Sequence, residues 1–233
     1  MIVYKAEGDF REGAMFLVDK PLTWTSFDVV NKIRWALKRK WGKLKVGHAG
    51  TLDPLATGLV IVCTGKWTRE IEGYMGQEKE YVAEITLGAT TPSFDLETEI
   101  ESRYPWEHID EAVLRKALDG FTGVFQQVPP VFSAVRIDGT RAYRQARRGN
   151  DPEMPAREVQ VKEIELLEFT PPQVRLRIVC GKGTYIRALA RDIGKACGSG
   201  AYLSALCRTA IGDYRIEQAH KMEELVSFFE NEP

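Results

Sequence analysis

From residue 47 to 58 the chain reads GHAGTLDPLATG, and this segment constrains the fold more than any other. Its glycines, Gly47, Gly50 and Gly58, permit positive φ and the close approach of another molecule. Pro54 confines Asp53 to extended geometry, so a helix cannot run through it. The segment therefore has to be a turn-rich connection. Before it, Val30, Ile33, Leu37 and Trp41 recur at helical spacing, with Lys32 and Arg39 on the opposite side. Thr25 or Ser26 caps this helix, and Asp28 falls in its first turn. After it, Leu59 to Cys63 is an uninterrupted apolar run, the mark of a buried strand. Asp53 either presents its carboxylate outward or bonds its own backbone, as Asp often does in turns. Spacing alone leaves both open. A phosphate-binding loop is excluded: the glycine spacing from Gly58 to Lys66 is wrong, and Trp67 stands where a hydroxyl would hold magnesium.

The remaining periodicities alternate between two and 3.6 residues. Phe16 to Asp19 is a short apolar strand leading into Lys20-Pro21. Tyr81, Ala83, Ile85 and Leu87 alternate with Val82, Glu84 and Thr86, which predicts a half-buried strand. Asp110 to Leu118 reads as a helix stopping at Gly120, and 126–134 as extended chain around Pro129-Pro130. Residues 140–148 read as a short helix ended by Gly149. Val159 to Phe169 and Val174 to Cys180 read as strands joined at Pro171-Pro172. Thr184 opens a further helix with Ile186, Leu189, Ala190, Ile193 and Cys197 on one face. Strands and helices mix without strict alternation. The expected class is α+β, with a mixed, largely antiparallel central sheet flanked by helices.

At 233 residues the chain is one large domain, or one with a small appendage, and can bury a sizeable core without metal or disulfide. No apolar run approaches the ~18 residues that span a bilayer, and no basic segment precedes an apolar core at the N-terminus. The expectation is a cytoplasmic protein with no membrane role. Cys63, Cys180, Cys197 and Cys207 form no CxxC pair, so buried thiols rather than a zinc site are expected.

Net charge is only −1, from 32 basic and 33 acidic residues, but the charge is segregated. Lys32, Arg34, Lys38, Arg39, Lys40, Lys43 and Lys45 follow one another with no acid between them. A second stretch carries Arg136, Arg141, Arg144, Arg147 and Arg148 against the single Asp138. Either run alone could be a solvated face. Together they point to nucleic acid.

The segment GHAGTLDPLATG resembles the signature of the TruB-type tRNA pseudouridine synthases. KPLTWTS (20–26), KEY (79–81), QQVPPVFSAVRIDGTRAYRQARRG (126–149), VCGKGTYIRALARDIG (179–194) and AYLSALCRTAIGDY (201–214) extend the resemblance in the family's order. It runs from about residue 14 to 228 and implies the pseudouridine synthase fold. The implied reaction breaks the glycosidic bond of a uridine, turns the base and rejoins it through carbon 5. It needs no cofactor and no metal.

The resemblance also assigns roles. Asp53 takes the place of the catalytic nucleophile or base, Arg187 that of the arginine pairing with it, and Tyr81 that of the tyrosine stacking on the target base. His48 corresponds to the histidine that holds the extruded-base conformation, and Lys20 to the lysine supporting the pocket. Leu206 matches the residue packing on the base, Asp95 an aspartate touching the flipped nucleotides, and Gly50 and Thr51 belong to the same substrate loop. Lys38, Arg39, Lys40, Arg141 and Arg144 would contact the RNA backbone. The implied substrate is uridine-55 in the T-loop of tRNA, reached by base flipping. The expected working form is a monomer needing no protein partner, a single catalytic domain over 1–233 without a separate C-terminal RNA-binding domain.

Three features depart from the family pattern: Thr23 replaces a usual glycine, TTPSFDLET lacks the family's second threonine and closing glycine, and no C-terminal PUA-type domain is expected. Two other readings remain at this stage, a T-arm-binding RNA chaperone without chemistry and the catalytic subunit of a guide-RNA pseudouridylation particle.

Overall fold

The computed structural model describes residues 3–5, 10–133, 135–137, 139–146, 148 and 152–231. In chain order the first elements are β1 (Val3–Lys5), β2 (Ala14–Lys20), α1 (Ser26–Trp41), β3 (Val46–His48), β4 (Ala56–Thr64), α2 (Ile71–Gly76) and β5 (Lys79–Leu87). Then come β6 (Ala89–Thr90), β7 (Ser102–Arg103), α3 (Glu111–Asp119), β8 (Gly123–Gln127), β9 (Arg136–Ile137), β10 (Thr140–Arg141) and α4 (Ala142–Ala146). The last are β11 (Arg157–Thr170), β12 (Gln173–Cys180), α5 (Ile186–Ala196), β13 (Ala201–Ile211), β14 (Tyr214–Arg215) and α6 (Met222–Asn231).

The chain divides into two compact units, Met1–Tyr81 with Leu206–Pro233, and Val82–Ala205. In the first unit the strands follow the order β1-β2-β4-β13, with β3 also on β4 and β14 on β13. All these pairs are antiparallel except β4 with β13, which is parallel from Leu206↔Ala56 to Arg208↔Gly58. Met15, Leu17, Leu59, Ile61 and Ile211 form its central cluster, each at most 1% exposed. Such side chains contribute about 1.5–3 kcal/mol apiece on burial. Phe10 meets Trp41 and Phe229 edge to face, and Phe229 also meets Phe16 of β2, tying the ends of α1 and α6 to the sheet.

In the second unit the order is β5-β12-β11-β8, with β11 antiparallel to both neighbours. α5 is buried along Ile186, Leu189, Ala190 and Ile193. The expected mixed, largely antiparallel sheet with flanking helices is what forms.

Several local expectations change. The strand at 16–19 extends to Ala14–Lys20 because Ala14 and Met15 are also fully paired and buried. Thr25, not Ser26, caps α1: its hydroxyl accepts from the Asp28 amide, and the Asp28 carboxylate accepts from the Thr25 amide. Asp110 stands outside α3 as its cap. The extended chain expected from 126 opens as the end of β8, which stops at Gln127. The helix expected from 140 begins at Ala142, since Thr140 and Arg141 pair with β9 instead. Thr184 does not cap α5: its hydroxyl donates to the Gly181 carbonyl at 3.1 Å, and Tyr185 takes the cap position. Ala134, Asp138, Arg147 and Gly149 lie outside the described residues. Cys63, Cys180 and Cys197 are buried as expected, while Cys207 is half-buried. Burial pushes the Cys63 thiol up to about 12, a value at which it is unreactive. Among the described residues, no helix is long and apolar enough to cross a membrane.

Candidate active site

In the first unit the 47–58 segment ends β3, loops out over 49–55 and enters the antiparallel β4. β3 pairs with β4 up to His48↔Val62, and the Ala49 amide donates to the Ile61 carbonyl at 2.8 Å. The chain leaves the sheet at Gly50, whose φ of +92° is a glycine conformation, and returns at Ala56. Between these points it is held from several sides. The Leu52 amide donates to the buried Ser26 hydroxyl at 2.8 Å, and that hydroxyl lies 3.2 Å from the Leu52 carbonyl. The Thr23 amide donates to the Pro54 carbonyl at 2.8 Å. The Ala56 amide donates to the Asp53 carbonyl at 3.1 Å, closing a turn around Pro54. Asp53 is thus fixed through its own backbone and both neighbours, and it is half-buried.

Lys20 lies under this loop with no exposed surface. Its ammonium donates to the carbonyls of Trp24 (2.6 Å), Pro21 (3.0 Å) and Pro54 (3.4 Å). Burial pulls its pKa down to about 8, opposed chiefly by the charge of Asp53, with Arg208 lowering it further. Lys20 and Asp53 thus face each other as opposite charges at this loop.

His48 is half-buried, and its Nδ1 has no hydrogen-bond partner among the described residues. Burial lowers its pKa, so the neutral ring prevails near pH 7. Thr51 is exposed at the loop surface. Leu206 is buried on β13 opposite Ala56, and Tyr81 is buried on β5. Lys38, Arg39 and Lys40 are exposed in the last turn of α1, where cations suit the helix dipole.

Thr23 holds a φ of +71°, so the turn that glycine usually makes is kept by a β-branched residue under strain. We expect Thr23→Gly to stabilise the protein by ~1 kcal/mol, the relief of strain being partly offset by glycine's unfolded-state entropy. Urea unfolding midpoints check this; a lower midpoint would mean that the Thr side chain contributes more than its backbone costs.

The second unit holds Arg187 and Asp95. Arg187 is 4% exposed on α5, so it is no surface helix residue. Its Nε lies 3.5 Å from Asp95 Oδ2, and its other nitrogens donate to the Ser93 carbonyl (3.1 Å) and the Phe132 carbonyl (3.0 Å). Asp95 also accepts from the Glu97 amide at 2.9 Å, and Phe94 before it adopts a φ of +62°. The unusual TTPSFDLET sequence therefore still delivers a buried, oriented Asp95. Arg144 is exposed and its Nε reaches the Tyr143 hydroxyl at 3.3 Å. The backbone of Arg141 pairs with Arg136, and its side chain lies outside the described residues. Among the described residues, no group of three or more His, Cys, Asp and Glu could hold a metal ion.

Sequence reasoning passed over Arg208, the largest fully buried side chain among the described residues, at 1% exposure on β13. The signal was present. Leu206 and Ala210 face inward on this strand, and Arg208 occupies the inward position between them in the same alternation.

A family model described as "TruB family pseudouridylate synthase (N terminal domain)" matches residues 36–186. The chain belongs to the TruB family of pseudouridylate synthases. A second model, the tRNA pseudouridylate synthase B C-terminal domain, matches residues 187–232. Curated relatives include the tRNA pseudouridine synthase B of Phocaeicola vulgatus, 54% identical over 96% of both chains. Those of Bacteroides fragilis (56%, covering 90% of this chain and 91% of the relative) and Flavobacterium johnsoniae (49%, 91% and 93%) are also similar. Among solved structures, a chain of a Cbf5-Nop10-Gar1 complex matches with a TM-score of 0.71 at 29% identity over 95% of this chain. A chain of an H/ACA ribonucleoprotein bound to a substrate RNA containing 2'-deoxyuridine gives 0.69 at 28% identity over 94%. This TruB-family chain spans 56% and 54% of those two chains, little more than half their length.

Proposed function

We propose that this chain is a tRNA pseudouridine synthase that isomerises uridine-55 of the T-loop, with Asp53 as the nucleophile or base. The observation that carries the reading is the Asp53 loop, clipped through Leu52 and Pro54 over a buried lysine, in a chain 54% identical along almost its whole length to proteins named tRNA pseudouridine synthase B. A carboxylate held this way can attack the anomeric carbon or the base, or remove a ribose proton. Tyr81 would stack on the extruded base, Leu206 would pack against it, and His48 would hold the opened RNA. The pairing of Arg187 with Asp53 that the family implies, and the contact of Asp95 with flipped nucleotides, belong to the same proposal. The enzyme would act on tRNA as a monomeric, single catalytic domain in the cytoplasm, with no protein partner required. Incubating it with unmodified tRNA transcript and mapping pseudouridine tests the class and the target together. Modification at uridine-55 without any guide RNA is the expected result; no pseudouridine would favour the chaperone reading, and dependence on a guide RNA the particle reading.

Replacing Lys38, Arg39 and Lys40 together by Ala should weaken tRNA binding and flatten its salt dependence. Each phosphate that is no longer neutralised lowers the slope of log affinity against log salt by roughly 0.7 to 0.9. An unchanged slope would assign this run to a solvated face and shift the backbone contacts to Arg141 and Arg144.

Lys20 gives a pH prediction. Its charge supports the Asp53 carboxylate, so kcat/KM should fall as pH rises through about 8 and Lys20 loses its proton. Stability moves the other way. The folded-state pKa lies below the ordinary 10.5, so the cost of burying this charge is fully present below about pH 8 and is relieved between 8 and 10.5. The check is the difference between wild type and Lys20→Met: the alkaline limb should vanish in the variant. A limb that persists there belongs to another group.

A further inference from the structure

We propose that Arg208 is a positioning residue that fixes the two stems of the Asp53 loop, and that its charge is retained for turnover rather than for folding. This rests on the reading of Asp53 as the catalytic group. Ser26, Thr23 and Lys20 grip the loop at its centre, through Leu52 and Pro54. Arg208 grips it at both ends. Its Nε donates to the Leu59 carbonyl at 2.7 Å, just beyond the returning arm, and its Nη2 to the Gly50 carbonyl at 3.3 Å, where the chain departs. One planar guanidinium thus sets the spacing and direction of the two stems, as a flexible ammonium could not.

The backbone around it is shaped for this contact. Arg208 pairs with Gly58 in the parallel register, and a Cβ at position 58 would lie 2.4 Å from the Arg208 carbonyl oxygen. Gly58 also has a φ of +104°. Only glycine lets β4 approach the arginine this closely.

The chemistry argues against a purely structural role. Burying a cation is costly unless it is well bonded, and an apolar residue at such a site is often as stable or more so. Among the described residues the hydrogen-bond acceptors of Arg208 are carbonyls, not carboxylates. Its charge is therefore left over, and it reaches the site: it lowers the pKa of both Lys20 and His48. The two buried cations, Lys20 and Arg208, put positive potential beneath the loop that carries Asp53.

The test is single-turnover pseudouridine formation and tRNA affinity for Arg208→Met and Arg208→Lys, beside wild type and Asp53→Asn. Arg208→Met is expected to lower the maximal rate about a hundredfold with tRNA Kd within about threefold of wild type. Arg208→Lys, which keeps the charge but loses the fork, should lose about tenfold. A maximal rate within threefold of wild type for Arg208→Lys and for any folded Arg208→Met overturns the proposal. So does a parallel loss of rate, affinity and thermal stability, which would mark a structural residue. Where Arg208→Met fails to fold, Arg208→Lys decides on the same criteria. If wild type itself forms no pseudouridine, the functional reading fails separately. The positioning role is then decided by hydrogen exchange at the amides of Ala49, Leu52 and Ala56: faster exchange in folded Arg208 variants supports it, and unchanged exchange overturns it.

Discussion

Asp53→Asn is expected to abolish pseudouridine formation, by roughly a thousandfold or more, while tRNA affinity stays within about threefold. The substitution is isosteric and removes only charge and nucleophilicity. The bonds that shape the loop around it are made by the Leu52 amide, the Pro54 carbonyl and the backbone carbonyl of residue 53, and asparagine leaves all of them intact. Binding, by contrast, should rest on basic side chains and the shape of the RNA arm, which the change does not touch. Asparagine does leave Lys20 without its main opposing charge, so the lysine should deprotonate more readily in the variant. Pseudouridine mapping and a filter-binding titration on the same preparation check both halves. A rate close to wild type would remove Asp53 from the chemistry.

The sequence made the periodic elements legible, because their signals are local. Tyr81, Ala83, Ile85 and Leu87 alternate and are buried, and Val30, Ile33 and Leu37 repeat at helical spacing and are buried. The loop was legible through its glycines and Pro54, down to the positive φ at Gly50 and Gly58. What could not be read was anything set by a partner distant in sequence. Thr140 and Arg141 are not such a case: their partners Ile137 and Arg136 are three and five residues back, and the Asp-Gly pair at 138–139 is a local hairpin signal that the helical reading passes over. The choice between Thr25 and Ser26 as cap is decided at long range. Ser26 is occupied with Leu52, 26 residues away, which leaves Thr25 to cap the helix.

The same distinction separates the site residues. Lys20 and Asp53 announce themselves through the proline beside each. Their coupling does not, since it depends on β2 and β4 pairing as far as Lys20↔Gly58. Thr23 shows the converse. Sequence marks it as a break in the pattern, and the structure keeps the turn at the cost of a strained φ, because the Pro54 carbonyl waits for its amide. Here tertiary context overrides a local preference.

Arg187→Met should destabilise the protein by about 3–5 kcal/mol, the cost of breaking a buried ion pair by removing one partner. The side chains of Arg187 and Asp95 are only 5% and 7% exposed, so water cannot take the place of the missing guanidinium. The carbonyls of Ser93 and Phe132 lose their donors as well, at about 1–3 kcal/mol each where nothing else reaches them. Methionine fills a similar volume, so a cavity contributes little. The attribution to charge can be separated from packing by a second change. Asp95→Asn in the Arg187→Met background removes the uncompensated carboxylate and should recover at least ~1 kcal/mol, although Asp95→Asn alone is destabilising. Urea unfolding of the four proteins closes this double-mutant cycle. If Asp95→Asn instead adds its full single-mutant cost to Arg187→Met, the two side chains are energetically independent, and the 3.5 Å approach between them contributes nothing to the fold.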